Sequence, residues 1–345
     1  MKLNLYTDAG WMDFPSIRQY MHIKGLPFCF VWGGRGIGKT YGALEAVRED
    51  AVAGAGKFIF VRRTQTQVDL ISKPELSPFK RLDLDHGYIT VCKPVSKYVS
   101  AFYSEDDFML GYTAALSTFS SMRGFDASDV NIIVFDEFIP EAHERPIKNE
   151  SDALLNLYES VNRNREMDGY EPVDLMCFAN ANNLTNPIFM GLGLVNIAHR
   201  MERERRSVWE IKDRGILLIN LNNSPISKAK AETALYKLTK NTGFADMALH
   251  NDFGTETAST YGSQPLAEYI PVVAVGEICI YQHKANETYY ACGHISGTPD
   301  TYGAGDVAVS RFRTSYIWLW RLYMSNQIQF QDIQTEVLFR QYFKG

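Results

Sequence analysis

Residues Gly33-Gly34-Arg35-Gly36-Ile37-Gly38-Lys39-Thr40 form a glycine-rich turn between an apolar run, Phe28 to Trp32, and a segment of helical character that begins near Thr40. The spacing matches GxxxxGK[ST], and strand, loop and helix in that order are the setting in which this pattern cradles a phosphate. Glycines let successive backbone N–H groups curl around an anion without Cβ clashes, and the helix N-terminus adds positive potential. The chemistry assigned to the loop is therefore ATP binding with Mg²⁺. Gly33, Gly34, Arg35, Gly36, Ile37 and Gly38 wrap the phosphates, Lys39 reaches the β- and γ-phosphates, and Thr40 ligates the metal. Arg35 is an unusual cation inside such a loop. Two readings fit it: contact with the γ-phosphate or the catalytic acid, or a side chain pointing to solvent.

A second apolar run, Asn131 to Phe135, ends in Asp136 and Glu137. An aspartate at such a strand tip holds Mg²⁺, and a glutamate directly after it can polarise an attacking water. The second acid favours hydrolysis over phosphoryl transfer to a small molecule.

Around these motifs, apolar runs alternate with amphipathic stretches, the signature of a largely parallel sheet flanked by helices. The expected strands are 28–32, 57–62, 131–135 and 173–179. Shorter β-rich pieces at 88–91, 98–103 and 107–111 read as an inserted antiparallel meander. Two more strand-like segments, 207–211 and 216–221, follow a charge run at 200–206. A polar helix is expected next, with Ser224 as N-cap, Pro225 at its first position and Gly243 as its stop. From 246 onward, β-rich stretches at 269–275, 277–282 and 289–294 precede a helix at 314–324, a strand at 327–330 and a helix at 332–343. The expected organisation is an ATPase domain over 1–200, a linker region with a helix over 201–245, and a small α+β domain over 246–345. The strand and helix order of the last is compatible with an RNase H-like layout and equally with other α+β folds.

Several polar residues sit at element ends near the motifs. Arg163 and Arg165 follow an amphipathic helix over 151–162 that carries Leu154, Leu155, Tyr158 and Val161 on one face. They suit either an arginine finger offered to a neighbouring subunit or a solvated helix end. Asn180, at the tip of the 173–179 strand, suits a sensor residue bridging the hydrolytic water, or the start of a turn. Arg62 and Arg63 follow the second strand and suit nucleotide or DNA contact, or plain surface. Arg123, on the loop before the acidic strand, suits DNA phosphate contact, action across a subunit interface, or solvation.

At 345 residues the chain exceeds the size at which one core usually stops growing, so two domains are expected. Its 46% hydrophobic and 22% charged residues are those of an ordered globular protein. The net charge of −5 argues against wholesale wrapping of nucleic acid, although a ring can still present a few cations to a central channel. The five cysteines are widely spaced, without CxxC pairs or zinc-ligand spacing, and read as small buried residues of a reducing compartment. No apolar run reaches the roughly 18 residues of a membrane span, and Asp8 and Asp13 interrupt the first segment where a signal peptide would be apolar, so a cytosolic location is expected.

Taken together, GGRGIGKT, the FVRR strand end, IVFDEF, LLNL followed by RNRE, and the NA strand tip resemble the DNA-packaging (encapsidation) ATPases of small protein-primed tailed phages. The similarity runs over roughly residues 28–200 and continues faintly beyond. It implies an ASCE-class P-loop motor that forms a homopentameric ring on the portal (connector) vertex of an empty capsid in the host cytoplasm and drives double-stranded DNA inward. By this resemblance Lys39 and Thr40 bind phosphate and Mg²⁺, Asp136 supports the metal, Glu137 activates water, and Arg163 is the finger acting in trans. Arg123 falls where the family carries a lysine, and Gln65 where a relative has a lysine near the DNA path. The resemblance also makes the C-terminal part an RNase H-like domain that has lost its nuclease chemistry. The absence of a carboxylate from 269–275 agrees with that loss. Such a domain binds a scaffold instead, in some relatives a structural packaging RNA. Read from the motifs alone, a helicase or recombination ATPase, or a nucleotide-dependent scaffold with negligible turnover, also remains open.

Overall fold

The computed structural model describes residues 3–121, 127–141, 144, 147–180, 183–221, 224–226, 233–238, 261–286 and 288–344. Two compact units emerge, Met1–Leu192 with Ile197–Phe253 and Gly193–Asn196 with Gly254–Gly345.

In the first unit, helix α1 (Phe14–Lys24) leads into strand β1 (Phe28–Gly33), helix α2 (Lys39–Val52) and strand β2 (Lys57–Arg62). Helices α3 (Gln65–Ile71) and α4 (Lys80–His86) precede strands β3 (Val91–Pro94), β4 (Val99–Tyr103) and β5 (Met109–Ala115). The acidic strand β6 (Val130–Asp136), helix α5 (Glu150–Asn162), strand β7 (Asp174–Asn180), helix α6 (Pro187–Gly191) and helix α7 (Val195–Arg203, of which Ile197 onward belongs to this unit) follow, then strands β8 (Val208–Ile211) and β9 (Ile216–Leu221).

These nine strands form one sheet in the order β3-β4-β5-β2-β6-β7-β1-β9-β8. The six from β5 to β9 in that order are parallel, with antiparallel pairs at both edges. Burial explains why the central strands read as unbroken apolar runs: both faces are covered. On β1, Cys29 and Val31 join a core with Phe14, Leu44, Val47 and Phe178, to which α1 and α2 contribute. The alternate residues Phe30 and Trp32 face the other way, where their rings meet Phe189, and Phe30 also meets Phe138.

Local signals fix the ends of α1. The Asp13 carboxylate accepts from the Ser16 N–H at 3.0 Å, and Gly25 closes the helix in the left-handed conformation. Arg18 and His22 on this helix both reach the buried Asp174 of β7 at 2.8 Å, pinning α1 to the sheet.

Two sequence expectations change here. The supposed meander is no insertion, because β5 pairs in parallel with β2 and carries β3 and β4 along as the edge of the main sheet. The stretch from 201 does not begin a linker, because β9 pairs with β1 along its whole length, Phe28 opposite Ile216 through Gly33 opposite Leu221. Its Ile-Leu-Leu-Ile run finds in the sheet interior the two covered faces it needs. The backbone at Gly33 approaches Leu221 so closely that a Cβ there would lie 2.7 Å from the Leu221 Cβ. Beyond β9, the Ile226 N–H donates to the Ser224 hydroxyl at 3.3 Å, as expected of an N-cap, and Ala234–Leu238 is helical (α8). Gly243 lies outside the described residues.

His199 on α7 is half-buried, and its Nε2 has no hydrogen-bond partner among the described residues. Burial lowers its pKa from 6.5 to about 4. Between those values the unfolded chain holds the extra proton and the folded one does not, so stability falls as pH drops through this window. We expect the unfolding midpoint of the wild type to fall more steeply from pH 6.5 to 4 than that of His199→Gln; parallel pH profiles in thermal melts would disprove this.

The second unit holds strands β10 (Tyr269–Val275), β11 (Ile278–His283), β12 (Tyr289–Cys292), β13 (Asp300–Tyr302) and β14 (Ile328–Phe330), with helices α9 (Asp306–Met324) and α10 (Ile333–Lys344). The sheet order is β13-β10-β11-β12-β14, antiparallel within β10-β11-β12 and parallel at each edge. Val273, Val275, Ile278 and Ile280 pack with Phe312, Leu319 and Phe339 of the two helices. The three-residue β13 was not anticipated, and α9 starts eight residues before the expected Thr314, with a kink at Tyr316.

Candidate active site

Gly36 and Gly38 adopt φ of +61° and +86°, a region that favours glycine. Gly38 caps α2 without a side chain, so the first N–H groups of this helix point into the loop's concavity. Lys39 is buried, and its ammonium donates to the carbonyls of Gly33 at 3.2 Å and Gly34 at 2.7 Å and lies 3.4 Å from the Asn180 amide oxygen. The parallel pairing of β1 with β7 brings Gly33 level with Asn180, which is how Lys39 and Asn180, 141 positions apart, meet.

Across the cleft, the Thr40 hydroxyl donates to Asp136 at 3.0 Å. Asp136, Glu137, Lys39, Thr40 and Asn180 all line one cavity of about 200 Å³ beside the glycine loop. A helix N-terminus with a buried cation suits a polyphosphate, and a hydroxyl facing a carboxylate suits Mg²⁺. The donor set therefore fits both groups.

Glu137 departs from β6 with φ of +59°, rare for a side chain this large and typical of functional turns. Its carboxyl titrates above the ordinary range because the cleft removes it from water, an effect that Arg62 opposes and Asp136 reinforces. Arg62 bridges the two acids, donating to Asp136 at 2.7 Å and to Glu137 at 2.6 Å.

Arg63 is entirely buried, which overturns the surface reading for this residue. It pairs with Glu150 at 2.6 and 3.0 Å and with Glu144 at 2.6 Å, and Gln67 donates to Glu144 at 2.9 Å. Burial pulls the guanidinium pKa down, but the two glutamates outweigh it and the net shift is upward. Adjacent arginines on one strand end thus serve two purposes: Arg62 holds the acid pair and Arg63 ties β2 to the first turn of α5. We expect Arg63→Met to lower stability by about 3–5 kcal/mol, since it leaves the buried Glu150 uncompensated. Denaturant titration with less than ~1 kcal/mol lost would contradict that.

Other expected site residues scatter. Arg35 is half-exposed and pairs with Glu141. Arg165 is half-buried and donates to the Val130 carbonyl at the start of β6. Arg163 is exposed, its Nε donating to the Ser160 carbonyl at 3.2 Å, and its backbone sits at φ 48°, ψ −127°. Arg123 lies outside the described residues.

Fold and site together define a P-loop nucleotide-binding domain. A family model described as podovirus DNA encapsidation protein (Gp16) matches residues 18–262, and the chain belongs to that family. The DNA packaging protein of Bacillus phage phi29 is 30% identical over 226 residues, 65% of this chain and 61% of that protein. That of Bacillus phage B103 is 29% identical over 226 residues, covering 65% and 63%. The matched region thus spans less than two thirds of either relative. Among solved structures, the phi-28 gp11 DNA packaging motor aligns with a TM-score of 0.63 at 18% identity, covering 95% of this chain and 97% of that one. The bacteriophage phi-29 genome packaging motor assembly aligns with a TM-score of 0.63 at 21% identity, covering 98% and 100%. At such identities the structural likeness shows the fold alone.

Proposed function

We propose that this chain is the ATP-hydrolysing subunit of a phage genome-packaging motor, which couples turnover to translocation of double-stranded DNA into a preformed capsid. The observation that carries the reading is the convergence of Lys39, Thr40, Asp136 and Glu137 on one cleft beside a glycine loop. Family membership supports the packaging role.

In this reading the α2 N-terminus and Lys39 hold the β- and γ-phosphates, and Thr40 and Asp136 hold Mg²⁺. The metal, when bound, neutralises phosphate charge. Glu137 accepts the proton of the attacking water, a role that its raised pKa suits. Asn180 orients that water from the tip of β7, and Arg35 senses the γ-phosphate from the loop. Arg163 of an adjacent protomer completes the site, so the working form is a homo-oligomeric ring, a pentamer on the portal vertex. Its exposure and its position at the end of α5 support that role. Arg123 contacts DNA or the neighbouring subunit. The C-terminal unit is a vestigial RNase H-like domain that binds a scaffold such as a capsid-attached RNA. The antiparallel β10-β11-β12 core with β13 parallel to β10 is in keeping with the RNase H-like part of this reading, while β14 lies at the other edge beside β12.

The test is phosphate release by the full chain with and without double-stranded DNA, together with packaging into empty capsids. Turnover with DNA uptake is expected. Strand separation without capsids, or nucleotide binding without turnover, would favour the helicase or the scaffold reading.

A further inference from the structure

Of the five tryptophans, all within the described residues, Trp11 alone is largely exposed, at 46%. Tryptophan is highly buried on average, and its ring combines a large apolar face with a polar edge. Its backbone, by contrast, is held tightly. The Thr7 N–H donates to the Trp11 carbonyl at 2.8 Å and the Trp11 N–H to the Thr7 hydroxyl at 3.2 Å. The Met12 N–H donates to the Ile37 carbonyl of the glycine loop at 2.9 Å, and Met12 itself is buried. Gly10, at φ +86°, packs against Pro225 and Ile226, and its carbonyl accepts from the buried Ser224 hydroxyl at 3.2 Å. The indole rests on the loop: a Cβ placed at Gly38 would lie 3.4 Å from the Trp11 Cβ and 3.5 Å from Cε3.

Direction matters as much as proximity. Asp136 and Glu137 lie at the end of β6, on the β7 side of β1, and fix where a terminal phosphate must sit. The residues on either side of Trp11 are tied down, Met12 to Ile37 and Gly10 to residues 224–226, which follow β9 on the other side of β1. A nucleoside triphosphate whose γ-phosphate lies at the acids therefore extends along the loop and leaves its base on the Trp11 side. An aromatic ring held at fixed orientation, half in water, is what base stacking requires.

We propose that Trp11 is the stacking platform for the nucleotide base and favours purines, which offer the larger π-face. This rests on reading the glycine-loop cleft as a nucleoside triphosphate site. The experiment is calorimetry on the full-length chain with ATP, GTP, CTP and inorganic tripolyphosphate, comparing wild type, Trp11→Phe and Trp11→Ala. Trp11→Ala is expected to raise Kd for ATP and GTP about 10-fold, raise that for CTP less, and leave tripolyphosphate unchanged, while Trp11→Phe retains most purine affinity. An unchanged ATP Kd in Trp11→Ala overturns the platform. Equal losses for ATP and tripolyphosphate also overturn it, because they mean that the indole only shapes the loop. If the wild type binds neither ATP nor tripolyphosphate, the nucleotide-site reading falls and the platform with it.

Discussion

Glu137→Gln is expected to lower ATP turnover by about 10²–10⁴-fold while leaving nucleotide affinity close to wild type. The substitution keeps the shape of the side chain and an oxygen for Arg62, but it removes the only atom group at the β6 tip assigned to accept a proton. Phosphate binding depends on other groups: the open N–H groups of α2, Lys39 and Thr40. Phosphate release and calorimetry on one preparation separate the two effects. Full turnover would remove Glu137 from the chemistry, and a matching loss of affinity would make its role one of binding.

Arg163 carries the second large effect. Its backbone conformation, φ 48° and ψ −127°, costs about 1–3 kcal/mol for a residue with a side chain. Glycine adopts it freely, so Arg163→Gly is expected to be about as stable as wild type, within ~1 kcal/mol, despite the added chain entropy of glycine. Turnover should nevertheless fall by about 10³-fold or more, the scale of a lost arginine finger. Stability and activity thus separate, as they would not for a helix-capping role. Mixing provides the sharper check. Arg163→Gly and Glu137→Gln are each expected to be inactive, yet a mixture of the two should regain part of the turnover, because a subunit with an intact acid can sit beside one with an intact finger. A mixture as inactive as its components would place Arg163 in its own subunit's site.

The chemistry-bearing motifs were legible because each depends on local order. Glycines, lysine and threonine in the loop must follow one another for the backbone to curl, and the acids at 136 and 137 must end their strand. Partnership between distant segments was not legible. The 216–221 run reads as a buried strand, but no periodicity says that it lies beside Phe28 rather than in a linker. Three residues at 300–302 are too few to show any period. Adjacent arginines at 62 and 63 look alike in sequence, and only the end of β2 between them, with Arg62 the last strand residue and Arg63 in the bend that follows, separates an acid clamp from a buried tie to Glu150. Arg165 resembled Arg163 for the same reason, until the turn after α5 directed it inward. The Trp11 contact depends on α1, which Asp13, Pro15 and Gly25 mark as a capped helix, but no local signal says that the residues just before its cap lie against the glycine loop.

The most direct measurement of the central claim is an electron-microscopy map of the full chain on DNA-loaded capsids, with a slowly hydrolysed ATP analogue and Mg²⁺. The account predicts phosphate density at the α2 N-terminus, Glu137 facing the γ-phosphate, and Arg163 of the adjoining protomer entering the same cleft. A glycine loop without nucleotide in well-ordered, DNA-engaged subunits would contradict it.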